Sequence, residues 1–166
     1  MTSVLLFLDV DGTLLPFGGA GPYPVYGPAF PLSSEALAAH PLLTRVDPAL
    51  GARLLSLGCE PVWATTWGDD ANACLAPWLG LPRLRLVEWP DVDDDGGPSG
   101  LHWKTRPLVS WAAGRPFVWL DDEITEADRV WVAEHHPERA LLHWVDHQVG
   151  LTDGDFAVLE AWLAER

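Results

Sequence analysis

Six residues near the N-terminus, Asp9-Val10-Asp11-Gly12-Thr13-Leu14, carry the strongest chemical signal in the sequence. They follow the apolar run Val4–Leu8 directly, so both carboxylates fall at the end of a buried strand. Two carboxylates one residue apart at a strand end can converge on one metal ion through a side chain and a backbone carbonyl. Gly12 lets the chain turn sharply there. Such oxygens suit Mg²⁺, which also prefers substrate phosphate oxygens. An Asp carboxylate is itself a competent phosphoryl acceptor, forming an aspartyl-phosphate. The competing reading is a plain Asp-Gly turn after a strand.

Other strand-end polar residues extend the pattern. Thr65 and Thr66 close the apolar run that starts at Pro61, and Asp121 and Asp122 follow Phe117–Leu120. Lys104 stands at the start of a helical pattern, where the macrodipole disfavours a cation, so a nearby anion explains it better than chance. Each has a plainer reading. Thr65 is also an ordinary β-branched strand residue, and Thr66 could take its place. Asp121 and Asp122 could be turn or cap residues before the next helix.

The elements that must position these groups alternate along the chain. Val4–Leu8, Pro61–Thr66, Leu84–Val87, Phe117–Leu120 and Ala140–Val145 read as strands. Asp47-Pro48 opens a helix whose leucine stripe runs to Gly58. Asp69 and Asp70 suit the first turn of a short helix that Pro77 ends or bends. Thr105 caps a helix running to about Ala113, and Thr125 with Asp128 and Thr152 with Asp155 resemble capping boxes. Residues 16–31, rich in Pro and Gly, and the acidic stretch Trp89–Gly100 read as loops. Five strands alternating with helices predict an α/β, three-layer, Rossmann-like fold with a largely parallel sheet. In such sheets ligands bind beyond the carboxyl ends of the strands, where the polar residues above fall.

These motifs resemble the haloacid dehalogenase (HAD) superfamily. Asp9 to Thr13 match its first motif, Asp-x-Asp-x-Thr/Val after an apolar strand. Thr65 matches the second, Lys104 the third and Asp121-Asp122 the fourth, in the same order along residues 4–122 of 166. The run Trp63-Ala64-Thr65-Thr66-Trp67 is further similar to small HAD domains predicted in RNA-repair proteins. The resemblance implies that Asp9 is the nucleophile and a Mg²⁺ ligand. It implies that Asp11 protonates the leaving oxygen, then deprotonates water, and offers its backbone carbonyl to Mg²⁺. Thr65 would hydrogen-bond the phosphoryl oxygens and Lys104 would neutralise charge. Asp122 would be a further metal ligand, with Asp121 beside it. The intervals Leu14–Pro61 and Trp67–Trp103 are too short for a folded cap, so the expectation is a capless hydrolase of one domain over residues 1–166. Its substrate would be a small phosphorylated molecule or an exposed phosphate end. The alternative is a catalytically silent HAD-like module that binds phosphate or a partner protein. A receiver domain fits less well, because Leu84–Val87 ends in Glu88 rather than in a phospho-acceptor Asp.

Composition bounds the rest. A chain of 166 residues with 48% hydrophobic and 20% charged residues reads as one ordinary soluble domain. Ten Lys+Arg against 24 Asp+Glu give a net charge of −14, which disfavours non-specific nucleic-acid binding. No apolar stretch approaches the roughly 20 residues of a membrane span. Two cysteines, Cys59 and Cys74, with no signal-peptide pattern point to the cytoplasm. Asp91, Asp93, Asp94 and Asp95 lack the spacing of a Ca²⁺ loop, and His135, His136, His143 and His147 read as surface or packing residues. Trp63, Trp119, Trp131 and Trp162 fall on apolar stripes as core, whereas Trp67 and Trp103 flank proposed site residues. Tyr23, Tyr26 and Phe30 either line the site's rim or pin the long loop to the core.

Overall fold

A computed structural model describes residues 2–91 and 100–165. The chain order is β1 (Leu5–Leu8), α1 (Ser34–Ala39), a 3₁₀ turn (Pro41–Arg45), α2 (Ala49–Ser56) and β2 (Glu60–Trp63). A π-helical turn (Ala71–Leu75) then runs into α3 (Ala76–Leu79), followed by β3 (Arg85–Leu86) and α4 (Thr105–Ala112). The chain closes with β4 (Phe117–Asp121), α5 (Glu126–His135), β5 (Ala140–Trp144) and α6 (Asp153–Ala164).

The five strands form one parallel sheet in the order β3-β2-β1-β4-β5, as the alternating pattern predicts. Side chains alternate across it. Leu6, Leu8, Trp63 and Leu120 pack on one face with Leu54 of α2, Leu79 of α3 and Phe156 of α6. Leu5, Phe7, Phe117 and Trp119 pack on the other with Leu108 of α4 and Val132 of α5. The molecule is therefore an α/β fold in three layers. Strand order reverses at β1, whose neighbours are β2 on one side and β4 on the other. A crevice for a ligand belongs at the carboxyl ends of β1 and β4, the reversal point.

Several local expectations hold and several do not. Both capping boxes are present, Thr125 with Asp128 and Thr152 with Asp155. Thr105 is not a cap: Lys104 occupies that position, and the buried Thr105 hydroxyl donates 2.7 Å to Asp128. Pro77 does not end its helix: it sits in the first turn of α3, directly after the π-turn, where its missing N–H costs little. Residues 16–31 hold no regular element, but α1 and the 3₁₀ turn beyond them lack the apolar stripe that betrays a helix. Trp131 and Trp162 are only partly buried. Asp93, Asp94 and Asp95 lie outside the described residues. No helix among the described residues is long and apolar enough to cross a membrane.

Candidate phosphate and metal site

The alternation along β1 and β4 sets the site. Asp9 continues the face of Leu5 and Phe7, and Asp121 continues that of Phe117 and Trp119. The Asp9 amide donates 3.2 Å to the Leu120 carbonyl, so the two strand ends stay paired. α4 covers this face and enters with Lys104. Lys104 is 5% exposed, and its ammonium donates 2.8 Å to Asp9 Oδ1 and 2.8 Å to Asp121 Oδ2. Carboxylate oxygens of Asp9, Asp121 and Asp122 lie within 4.8 Å of one another. Asp9 and Asp121, far apart in sequence, thus share one ammonium, with Asp122 beside them.

Charge is not balanced there. Three carboxylates face one ammonium. Burial pushes the Asp9 carboxyl up to about 7, with Lys104 drawing it down and the Asp121 charge adding to the rise. Burial and the Asp121 charge likewise raise Asp122. Burial alone would weaken the Lys104 ammonium, but Asp9 and Asp121 outweigh it and hold the proton above the ordinary lysine range. Burial and the shortage of positive charge both favour the protonated form of Asp9. A divalent cation would supply that deficit with ligands of the right hardness. Asp121 spends both oxygens, one on Lys104 and one on the Glu123 amide at 3.0 Å. Asp122 is half-buried and lies close to Gly12.

Gly12 is required by space as well as by its φ of +82°. A Cβ there would overlap the Asp122 carboxylate and stand 2.9 Å from His147 Cβ. Thr13 donates 3.2 Å to Asp9 Oδ2 from beneath.

Asp11 stands outside this carboxylate cluster. It is exposed, and the Trp67 indole donates 3.1 Å to its Oδ2. Trp67 in turn stacks on His40 at 4.4 Å. Thr65 is 3% exposed and accepts 3.2 Å from the Trp67 amide, and its hydroxyl proton has no acceptor among the described residues. Thr66 is exposed. Trp89 donates 2.9 Å to the Thr65 carbonyl, and Trp103, 44% exposed, lies 5.6 Å from Lys104 Nζ. Trp67 and Trp103 therefore border the site.

One participant escaped sequence reading: His102. Its Nδ1 accepts 3.0 Å from the Lys104 amide, and its Nε2 lies 3.1 Å from Glu123. A lone histidine in a loop offers no spacing to read. Three other histidines have partners outside the cluster: His143 pairs with Asp155 at 2.7 Å, His136 with the Arg115 carbonyl at 2.9 Å, and His135 stacks on Trp131. Tyr23 pins its loop, its hydroxyl donating 3.0 Å to the Gln148 carbonyl, and Tyr26 packs on the core, whereas Phe30 is 57% exposed. Cys74 is buried and Cys59 partly so, with burial raising the Cys59 thiol to about 11.

Comparison with protein-family models, with curated proteins and with solved structures finds no match to this chain.

Proposed function

We propose that the protein is a HAD-like, Mg²⁺-dependent phosphoric monoester hydrolase that works through an aspartyl-phosphate on Asp9. The observation that supports this reading is the buried Lys104 ammonium shared by Asp9 and Asp121 beside Asp122. Phosphoryl transfer needs mostly positioning and charge neutralisation, and this arrangement supplies a carboxylate nucleophile with both needs partly met.

Asp9, Asp122 and the Asp11 backbone carbonyl would hold Mg²⁺, with Asp121 behind them. The ion would neutralise charge on the phosphoryl oxygens and align them. Asp9 attacks phosphorus in line, and the ester bond to the leaving oxygen breaks as the carboxylate–phosphorus bond forms. Asp11, held by the Trp67 indole, gives the leaving oxygen its proton. It then takes a proton from water, whose oxygen attacks phosphorus and releases Asp9 and inorganic phosphate. The Thr65 hydroxyl donates to a phosphoryl oxygen throughout, and Lys104 balances the charge of Asp9.

Asp9→Asn keeps the shape and removes the nucleophile. Turnover of p-nitrophenyl phosphate with Mg²⁺ should fall by more than about a thousandfold, while circular dichroism stays that of the parent. Turnover within tenfold of the parent would end the proposal.

A further inference from the structure

Between the Pro/Gly-rich segment after β1 and the 3₁₀ turn lies a cavity of about 360 Å³, lined in part by Gly18, Gly19, Gly21, Tyr23, Thr44 and Arg45. That volume falls within the range of small-molecule sites. It holds one cation, Arg45. Cations are scarce, and five of the nine described Lys and Arg side chains find a carboxylate: Arg53 with Asp153, Arg85 and Arg115 with Glu60, Arg129 with Glu126, Lys104 with Asp9 and Asp121. Arg45 pairs with no carboxylate among the described residues. Its guanidinium lies 4.7 Å over the Tyr23 ring and donates one long hydrogen bond, 3.4 Å, to the Pro16 carbonyl. Most of its five N–H donors have no acceptor among the described residues.

The walls are tied down. The Tyr23 hydroxyl accepts 2.7 Å from the Gly19 amide and donates 3.0 Å to the Gln148 carbonyl. The Thr44 carbonyl accepts 2.8 Å from the Tyr26 amide. The loop is thereby fastened both to the β5–α6 connection and to the 3₁₀ turn. Gly12, beside Asp122, and Gly18, on the cavity wall, flank one residue, His147: a Cβ on Gly12 would stand 2.9 Å from His147 Cβ, and one on Gly18 3.6 Å from its Nε2. The His147 side chain therefore lies between Gly12 and the cavity wall.

We propose that this cavity binds a second anionic group, phosphate or carboxylate, carried by the same small molecule as the scissile phosphate, with Arg45 as its main ligand. A planar guanidinium meets either anion through two parallel hydrogen bonds. On a surface of net charge −14 such a group is repelled almost everywhere else. The substrate class is then a sugar-sized phosphomonoester with two anionic ends, and Arg45 selects it over the singly charged ester. The catalytic part rests on the phosphohydrolase reading; the binding part does not.

The test compares kcat/KM for three series of three to six carbons: alkanediol monophosphates, the matching bisphosphates, and phosphooxy-carboxylates. In the parent protein one length of doubly anionic ester should exceed its monophosphate by roughly ten- to a hundredfold, beyond the factor of two owed to a bisphosphate's two equivalent ends. Whether phosphate or carboxylate gains more identifies the second group. Arg45→Gln should bring that ratio close to the statistical value. Arg45→Lys, which keeps charge and loses the planar fork, is read the same way if the glutamine variant fails to fold. A parent ratio at the statistical value, or an equal loss on singly and doubly charged esters, overturns the proposal. Calorimetric binding of the bisphosphate to Asp9→Asn protein separates the two readings. Tenfold weakening there by Arg45→Gln, with no turnover of any ester by the parent, keeps the cavity and removes the hydrolase. Turnover with Arg45-independent binding keeps the hydrolase and removes the cavity.

Discussion

Lys104 enters α4 at the end where the macrodipole repels a cation, so its place depends on its neighbours. Its ammonium answers to Asp9 and Asp121, and its amide to His102. His102 is held in turn by Asp128, whose Oδ1 accepts 2.8 Å from the His102 amide and 2.7 Å from the Thr105 hydroxyl. The other oxygen of Asp128 caps α5 through Thr125. One fully buried carboxylate thus ties the entrance of α4 to the start of α5. Burial alone would raise Asp128, but the hydrogen bonds from Thr105, Thr125 and His102 outweigh it and hold the carboxyl below its ordinary value of 3.8. A depressed carboxyl contributes stability above its unfolded pKa and loses it as pH falls through the folded one. Asp128→Ala should therefore cost about 3 kcal/mol at pH 7, measured by urea unfolding, and the gap to the parent should narrow below about pH 4. An undiminished gap at low pH would mean that lost packing, not charge, explains the cost. The capping half of this arrangement was legible in the sequence as Thr125-x-x-Asp128. The half that reaches His102 and Thr105 was not, because those contacts join residues more than twenty positions apart.

At the scale of elements, local pattern carried the strands and long-range packing hid much else. Leu5–Leu8, followed by Asp9, and Phe117–Leu120, followed by Asp121, are continuous apolar runs, and a buried parallel strand needs little more. The meeting of Asp9, Lys104 and Asp121 was legible because each lies at the end of a strand or the start of a helix. The π-turn was not readable, and neither were the long-range bonds of Asn72 within it. The Asn72 side chain is buried. It accepts 3.0 Å from the Trp63 indole and 2.8 Å from the Leu84 amide, and donates 2.8 Å to the Leu84 carbonyl. It therefore clamps β2 to the approach of β3, a strand of only two residues. Asn72→Leu should leave three buried backbone or indole groups unpaired and cost several kcal/mol, on the order of 1–3 for each group. Differential scanning calorimetry should show a fall of at least about 6 °C. A near-parental melting point would show that β3 does not need the clamp. The packing of α2 is equally silent in sequence: Gly51 lets α2 approach so closely that a Cβ would overlap the Leu79 carbonyl of α3.

The whole molecule carries its negative charge into the site as well as over its surface. Asp9, raised from 3.8 to about 7, binds its proton more tightly folded than unfolded. A raised acid stabilises the fold most below its unfolded pKa, and that contribution is lost as pH rises from about 4 towards 7. The metal-free protein therefore becomes relatively less stable over that window, where repulsion among Asp9, Asp121 and Asp122 grows. Mg²⁺ and the proton compete for the same oxygens, so Mg²⁺ affinity should increase across the same window. At a hundred times its Kd the ion would add about 2.7 kcal/mol of stability, or roughly 5–10 °C in melting temperature for a chain of this size. Thermal scans with 10 mM MgCl₂ should show that rise at pH 8 and little of it at pH 5. The necessary control is NaCl at equal ionic strength, because a chain of net charge −14 is stabilised by any salt that screens its self-repulsion. A site effect must exceed the NaCl effect, must grow with pH, and must shrink in Asp9→Asn. Matching shifts from the two salts at both pH values would reduce the carboxylate cluster to surface electrostatics and leave the Lys104 bridge as a purely structural ion pair.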